Sequence, residues 1–287
     1  MADYKNGIDI SYCQTKVDWQ KVNVDFAIIR AGYGKSITQK DTMFESHYAG
    51  AKSRGIPVGA YWYSYAMNED DARREADVCI EVLKGKQFEY PIWYDVEENK
   101  QFALGKEKVS AIIRAFLERV EAAGYWVGLY GSYSSLTTYT AQDIRDRYAI
   151  WLAHWGVTKS PYPGAYGIWQ TGVGKIAGVA GDCDIDRGYV DYPALIKERG
   201  LNGFSKQEST APKCPYPAPT KPVKENQIGD GVKWVQWQLA RKGYMKEAEI
   251  DGVFALRLFC LVCGFQKKNG LDVDGVVGPM TRNALER

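Results

Sequence analysis

The sequence predicts an α/β fold: an irregular TIM-like β/α barrel followed by a small all-α domain of three helices. Strand-forming runs alternate with charged, helix-periodic segments over roughly the first 200 residues, the pattern of a barrel of parallel strands. A proline-rich stretch at 209–227 follows, and the residues beyond it have helical periodicity. An open, doubly wound sheet is the alternative architecture for the first region.

Eight segments rich in β-branched and aromatic residues predict the strands. In chain order they are 7–11, 26–34, 56–66, 90–97, 125–133, 148–155, 166–172 and 183–190. Charged segments with helical period lie between the earlier strands, at 41–54, 69–84 and 106–123. The later connections are short and less helical, so the second half of the barrel is expected to be irregular.

The chain is expected to divide into a barrel at 1–203, an extended linker at 204–227 and a helical domain at 228–287. Proline, lysine and threonine dominate the linker, which has no apolar period. In the helical domain, Val232, Val235 and Leu239 fall on one face of a helix. An internal repeat follows, in which "DGVFALRLFCLV" aligns with "DGVVGPMTRNAL".

Charge and composition narrow the possible partners. The chain has 37 basic and 35 acidic residues, a balance that argues against nucleic-acid binding. The first residues show no signal-peptide pattern, and no apolar run is long enough to span a bilayer, which predicts synthesis in the cytoplasm and no membrane insertion. Six cysteines are therefore expected as free thiols, with the "CLVC" pair at 260–263 packed in a core.

Carboxylates follow several of the predicted strands. Asp95 and Glu97 end the fourth strand, Asp9 ends the first, and Asp184 and Asp186 lie on the last. Because the first and last strands are neighbours in a closed barrel, these acids can converge on one mouth. Clustered, desolvated carboxylates hold a proton near neutral pH, as a general acid requires, and paired acids are the usual equipment for glycoside hydrolysis. A divalent-metal site is another use for such a cluster.

Eight motifs in order resemble glycoside hydrolase family 25, the lysozymes of phages, bacteria and fungi. They are "GIDIS", "FAIIRAGYG", "GAYWYSYA", "YDVEE", "GLYGSYS", "IWLAHW", "YGIWQTG" and "GDCDIDRG", and the resemblance covers about residues 4–195. It implies an irregular β/α barrel. It also implies hydrolysis of the β-1,4 bond between N-acetylmuramic acid and N-acetylglucosamine in peptidoglycan.

The resemblance also implies roles for individual residues. Glu97 matches the general acid, and Asp95 matches a second acid that acts as nucleophile or orients the substrate N-acetyl group. Asp95 is then expected to stay ionised beside a protonated Glu97. Asp9 and Asp184 match supporting aspartates. Asp186 stands where the family often has asparagine and is expected in a structural salt bridge. Residues in motifs that line the sugar groove are Tyr61, Tyr63, Tyr130, Trp151 and Gln170.

The C-terminal region resembles the small three-helix peptidoglycan-binding domain. Its second repeat fits well through Gly275 and Thr281, whereas the first has Ala255 in place of glycine and Leu258 in place of a helix-capping threonine. Loss of an N-cap hydroxyl costs about 1 kcal/mol. Bacterial peptidoglycan is therefore the expected partner of this domain.

Other functions remain as alternatives. One is a catalytically inactive wall-binding protein, and another is a barrel glycosidase that acts on chitin-like glycans. Zinc or Cys-His chemistry is disfavoured, because the only histidines are His47 and His154 and no zinc-ligand pattern contains them. No cofactor or metal is expected. We expect the protein to act on the bacterial cell wall after it is released from the cytoplasm, as phage endolysins are released at lysis.

Overall fold

The computed structural model describes residues 4–206 and 214–286, and the chain divides after residue 208 into two compact units. We call residues 4–206 the barrel unit and residues 214–286 the tail unit. Each is described by itself.

The barrel unit is built on eight strands that close into a barrel in sequence order. All eight predicted strands have a counterpart. The strands are β1 (Lys5–Ile10), β2 (Phe26–Tyr33), β3 (Val58–Tyr63), β4 (Ile92–Asp95), β5 (Val127–Ser132), β6 (Ala149–Ala153), β7 (Ile168–Gly174) and β8 (Cys183–Gly188). The closed barrel confirms the predicted class and rules out the open sheet.

The last strand runs opposite to the others. Strands β1 to β7 pair in parallel, but β8 is antiparallel to both β7 and β1. The sequence predicted a barrel of parallel strands that is irregular in its second half, and β8 is the strand that departs from the parallel order. The reversal matters for the site, because it places the first residues of β8, not the last, beside the C-terminal end of β1. Asp9 and Asp184 are directly paired across these two strands.

Seven helices accompany the strands of the barrel unit. They are α1 (Phe44–Ser53), α2 (Glu69–Leu83), α3 (Asn99–Phe102), α4 (Lys106–Ala122), α5 (Tyr133–Thr138), α6 (Gln142–Arg147) and α7 (Tyr192–Arg199). The three predicted helical segments correspond to α1, α2 and α4. The N-terminus of α2 is capped by Asn68, whose side chain accepts a hydrogen bond from the amide of Asp71. The later connections hold only short helices, as the sequence predicted.

Two apolar layers hold the barrel together. Outward-facing strand residues such as Ile8, Ile29 and Trp62 are fully buried against the helices. The barrel interior is filled by large rings, including Trp93 and Trp151, whose centroids lie 5.7 Å apart in an edge-to-face arrangement. The interior is therefore a packed core, and the polar groups of the barrel gather above it.

The tail unit contains three helices, α8 (Asp230–Arg241), α9 (Leu256–Lys268) and α10 (Pro279–Glu286). Val232, Val235 and Leu239 are each no more than 2 % exposed, which confirms the predicted apolar face of α8. This helical unit is the small all-α domain of three helices that the sequence predicted.

A buried glutamine clamps the turn before α9 and another clamps the turn before α10. The Gln236 side chain donates to Asp251 and accepts from the Gly252 amide, and Gln266 does the same with Asp274 and Gly275. The internal repeat is therefore a repeat of one hydrogen-bonded unit.

The threonine of the second repeat does not cap its helix, which corrects the interpretation of the first repeat. Thr281 lies inside α10, is buried and accepts a hydrogen bond from Gln266 Nε2 at 3.1 Å. Its counterpart Leu258 is 4 % exposed and packs in the apolar core. The first repeat thus exchanges one buried hydrogen bond for apolar burial, while its N-cap position is occupied by Ala255.

The predicted linker is only partly free of the tail unit. Residues 207–213 lie outside the described part of the chain. Val223 is buried and pairs with Val277 through two backbone hydrogen bonds, and Tyr216 packs against the same core. The expectation that 209–227 is wholly extended and unpacked is therefore wrong for the described residues 214–227, because Val223 is part of the tail core and Tyr216 packs against it.

Two further expectations concern the state of the cysteines and the presence of a membrane-spanning helix. All six cysteines are free thiols, as predicted, but Cys260 is exposed on α9 and does not pack in the core. Across residues 4–206 and 214–286, no helix has the length and apolar character needed to cross a membrane.

Candidate active site

Five carboxyl groups gather at one rim of the barrel. Asp9 is near the end of β1, Asp95 is the last residue of β4, and Asp184 and Asp186 face β1 from the reversed strand β8. Glu97 lies two residues beyond the end of β4, in the loop before α3. It is not paired in the sheet, so the alternation of side chains along a strand does not determine where its side chain lies. As a result Asp95 is buried, whereas Glu97 is exposed to solvent.

Asp95 is buried at the end of β4. Its side chain lies among the ends of β3, β4 and β5, it is 4 % exposed, and its Oδ1 atom has no hydrogen-bond partner among the described residues. Burial, and next the charge of Glu97, raises the pKa of Asp95 well above its ordinary value, while Arg30 acts in the opposite direction. Ionising Asp95 in the ligand-free protein is therefore unfavourable.

Glu97 is more exposed to solvent than Asp95. Partial removal from water, followed by the charges of Asp184 and Glu98, raises the pKa of Glu97. The sequence predicted an ionised Asp95 beside a protonated Glu97. In the ligand-free protein the pKa values of both groups are raised, and the more deeply buried Asp95 has the stronger reason to keep a proton.

Asp9 and Asp186 form the floor of the cluster. Asp9 accepts a hydrogen bond from Gln170 Nε2 at 2.8 Å, and Asp186 accepts one from Trp151 Nε1 at 2.8 Å. Burial, and next the charges of Asp186 and Asp184, raises the pKa of Asp9. Asp186 was expected in a salt bridge, which is wrong: its partner is an indole N–H, because no cation of the barrel reaches this fully buried position.

The structure places the predicted groove residues in two groups. Tyr61 and Tyr63 are partly exposed on β3 beside Asp95, and the Tyr63 hydroxyl donates to Glu98 at 2.9 Å. Three are buried beneath the rim: Tyr130, Trp151 and Gln170. Trp151 is only 1 % exposed, so it has no free face for a sugar ring and supports the acids from below.

Gln170 connects several side chains of the rim. Its Oε1 atom accepts from the Tyr130 hydroxyl and from Trp155 Nε1, both at 3.0 Å, while its Nε2 atom donates to Asp9. Trp155 was not predicted as a site residue, yet it is half exposed and bonded directly to this network. Its position just after β6, at the C-terminal end of a barrel strand, is the signal that could have identified it.

A second feature missed by the sequence is an aromatic pocket next to the acids. The pocket has a volume of about 380 Å³ and shares Tyr63 with the acidic rim. Tyr12 and Tyr65 are both half exposed in it, and the Arg30 guanidinium lies 4.4 Å from the Tyr12 ring centroid. Exposed tyrosine faces suit the apolar faces of sugar rings.

None of the five rim acids forms a salt bridge with a described residue. Within residues 4–206 and 214–286, no three His, Cys, Asp or Glu side chains are arranged to hold a metal ion. The rim acids are therefore neighbouring carboxyl groups without a paired cation, and their pKa values depend on burial, on one another's charge and on hydrogen bonds.

Comparison with protein families agrees with this geometry. Residues 8–179 match the family model of glycosyl hydrolases family 25, and residues 228–285 match that of a peptidoglycan binding domain. The first match covers most of the barrel unit and the second covers nearly all of the tail helices.

Two of the similar proteins are lysozymes. The autolytic lysozyme of Clostridium acetobutylicum is 25 % identical over 296 residues, covering 98 % of this chain and 78 % of that protein. A Streptomyces coelicolor lysozyme structure is 25 % identical with a TM-score of 0.60, covering 71 % of this chain and 100 % of the other.

The autolysin LytC of Streptococcus pneumoniae, solved with a synthetic peptidoglycan ligand, is 30 % identical with a TM-score of 0.58. That match covers 65 % of this chain and 47 % of LytC, so the chain spans about half the length of this relative. The family match, the closed barrel and the acid-lined rim agree: the chain belongs to glycosyl hydrolase family 25.

Proposed function

We propose that this protein hydrolyses the β-1,4 bond between N-acetylmuramic acid and N-acetylglucosamine in bacterial peptidoglycan. The observation that carries the proposal is the cluster of five carboxyl groups at the barrel rim, none of them in a salt bridge with a described residue, next to partly exposed tyrosines. Acids with raised pKa values and exposed rings are the chemistry that protonates and holds a glycan.

Glu97 is proposed as the general acid. It is the rim acid most exposed to solvent and projects from a loop, so it can reach a glycosidic oxygen bound in the groove. The raised pKa of Glu97 favours the protonated form that a proton donor requires. Proton transfer to the leaving oxygen then allows the sugar–oxygen bond to break.

Asp95 is proposed as the nucleophile or as the group that orients the substrate N-acetyl. In the second role, a substrate N-acetyl N–H would donate a hydrogen bond to the Asp95 carboxylate. Such a hydrogen bond would stabilise the charged form and lower the pKa of Asp95 once substrate is bound. Asp9 and Asp184 are proposed to add charge and hydrogen bonds around the same sugar.

The tail unit is proposed to bind peptidoglycan, which would hold the barrel at an insoluble substrate. The family match of residues 228–285 supports this role. Release during phage-type lysis remains a prediction of the sequence alone.

Mass spectrometry of purified peptidoglycan after digestion tests the reaction. We expect fragments whose new reducing ends are N-acetylmuramic acid, and far fewer of them from the Glu97→Gln protein in the same time. New N-acetylglucosamine ends would contradict the proposed bond. Binding to walls without any fragments would indicate the inactive wall-binding alternative, and cleavage of chitin oligosaccharides in preference to peptidoglycan would indicate the chitin-type glycosidase.

A further inference from the structure

Asp186 is a buried carboxyl group that the proposed reaction does not use. It lies on β8 opposite Gly7 of β1, which puts its side chain on the same face as Asp9 two residues along. It has no exposed surface. Its Oδ1 atom accepts a hydrogen bond from Trp151 Nε1. Its Oδ2 atom has no hydrogen-bond donor among the described residues.

Asp9 and Asp186 are buried neighbours on adjacent strands with their side chains on the same face, and each carboxyl group acts on the pKa of the other. Two ionised carboxylates are both acceptors only, so a hydrogen bond between them requires a proton on one. The other titratable groups that face the pair bring no positive charge; they are Asp184 and Cys183 on β8, Tyr130 on β5 and Tyr61 on β3. A proton held between the two acids would give the Oδ2 atom of Asp186 a hydrogen-bond partner.

We propose that Asp186 is a positioning residue that shares one proton with Asp9, so that the pair carries a single negative charge and the Asp9 carboxyl group is fixed toward the groove. Gln170 holds Asp9 from the other side. Burial raises the pKa of Asp186 to about 8, which agrees with a proton present at neutral pH. The positioning of Asp9 for a glycan rests on the proposed function, whereas the shared proton does not.

Carboxyl ¹³C NMR of the full-length protein, labelled at the side-chain carboxyl carbon of aspartate, tests the shared proton without substrate. We expect one carboxyl pair to remain partly protonated above about pH 6, far beyond the ordinary aspartate range. This signal should vanish in both Asp9→Asn and Asp186→Asn, and stay in Asp182→Asn, an exposed acid paired with Lys175. Ordinary titration of both Asp9 and Asp186 would overturn the proposal.

Kinetics on soluble peptidoglycan fragments test the positioning. The amide of Asp186→Asn can donate to Asp9 permanently, so kcat should stay within about threefold, whereas Asp186→Ala should lose about tenfold or more with the missing hydrogen bond to a charged group. The activity ratio of Asp186→Asn to the unmodified protein should rise between about pH 6.5 and pH 9, because only the unmodified pair loses its proton. Loss of the Glu97 proton affects both proteins and cancels in this ratio.

Equal kcat in the asparagine and alanine variants, or a flat ratio, would show that Asp186 does not position Asp9. If the unmodified protein cleaves no peptidoglycan at all, the proposed function fails, and the NMR result still decides whether the proton is shared.

Discussion

Glu97 and Asp95 are two residues apart but stand in different surroundings, and this difference allows their roles to be separated. Glu97→Gln keeps the shape of the side chain and removes the transferable proton. Since general acid catalysis supplies about 10²–10⁴-fold, we expect kcat on peptidoglycan fragments to fall at least about a hundredfold. Circular dichroism of the variant should match that of the unmodified protein.

The matched control for this prediction is Glu107→Gln, an exposed glutamate in the first turn of α4, which should keep full activity. A folded Glu97→Gln protein with near-normal turnover would remove Glu97 from the general-acid role.

Asp95 should determine how the enzyme fails in acid. Its role requires the ionised form, and burial raises the pKa of Asp95 in the free protein. Because kcat/KM reports the free enzyme, kcat/KM should decline as the pH falls through this raised pKa, at a higher pH than the ordinary value of about 4 would give. Asp95→Asn should lose most activity, and its residual rate should lack this acidic limb. An unchanged rate and profile would make Asp95 structural.

Individual site residues could be predicted from the sequence where they lie at the end or the beginning of a predicted strand. All five rim acids were visible in the sequence because they follow or begin strand-like runs. The partner of Asp186 was not, since the indole of Trp151 comes from a strand 35 positions away and no local pattern links them. Exposure of Glu97 was missed for a similar reason: the sequence does not show that β4 ends at Asp95.

At the scale of elements, one buried acid should make the barrel pH-sensitive. Glu75 on α2 is 1 % exposed and accepts from the Tyr65 amide at 2.8 Å and the Tyr94 hydroxyl at 2.7 Å. Burial raises the pKa of Glu75 to about 7. Since this is above the unfolded value of about 4.3, the folded state binds more protons, and stability falls as the pH rises from about 4.3 to about 7.

Glu75→Gln should remove that loss, which is on the order of 3 kcal/mol. Urea unfolding of the barrel transition, followed at several pH values, measures it. The unmodified protein should lose more stability than Glu75→Gln between mildly acidic and neutral pH. Glu81→Gln, an exposed acid on the same helix, should behave like the unmodified protein. Parallel pH dependence in all three proteins would refute the role of Glu75.

The positions of the strands were predicted, but the reversed direction of β8 was missed. Alternation of apolar residues is the same in either direction, so the reversal of β8 leaves no trace in its own residues. The connection does carry a signal. Only eight residues, 175–182, separate β7 from β8, whereas parallel strands need a crossover of about a dozen or more. Loop length would therefore have predicted the antiparallel pair.

At the scale of the molecule, the tail unit should need residues before its first helix. Val223 is buried and hydrogen-bonded to Val277, so a tail that starts at 226 lacks part of its core. Its proline content identified 209–227 as a linker. Composition alone cannot show that a residue within this stretch, Val223, packs in the core of the tail unit. A tail of residues 214–287 is therefore the appropriate protein for binding tests.

The division of labour between the two units gives the last prediction. A chain ending at residue 206 keeps every rim acid, so it should cleave small soluble glycans about as fast as the full-length protein. On intact walls it should bind less and lyse more slowly, because tethering through a second site raises avidity by about 10²–10⁴-fold when both sites engage. The difference should be largest at low protein concentration.

Co-sedimentation with purified peptidoglycan separates binding from catalysis. The tail of residues 214–287 should pellet with walls and release no fragments, while full-length Glu97→Gln should pellet equally well without lysis. If the tail stays in solution with walls from several bacterial types, and truncation at 206 leaves wall lysis unchanged, the tail unit does not act in wall binding. The unchanged rate on soluble glycans is essential, since a slower truncated barrel there would mean that the tail supports the catalytic unit itself.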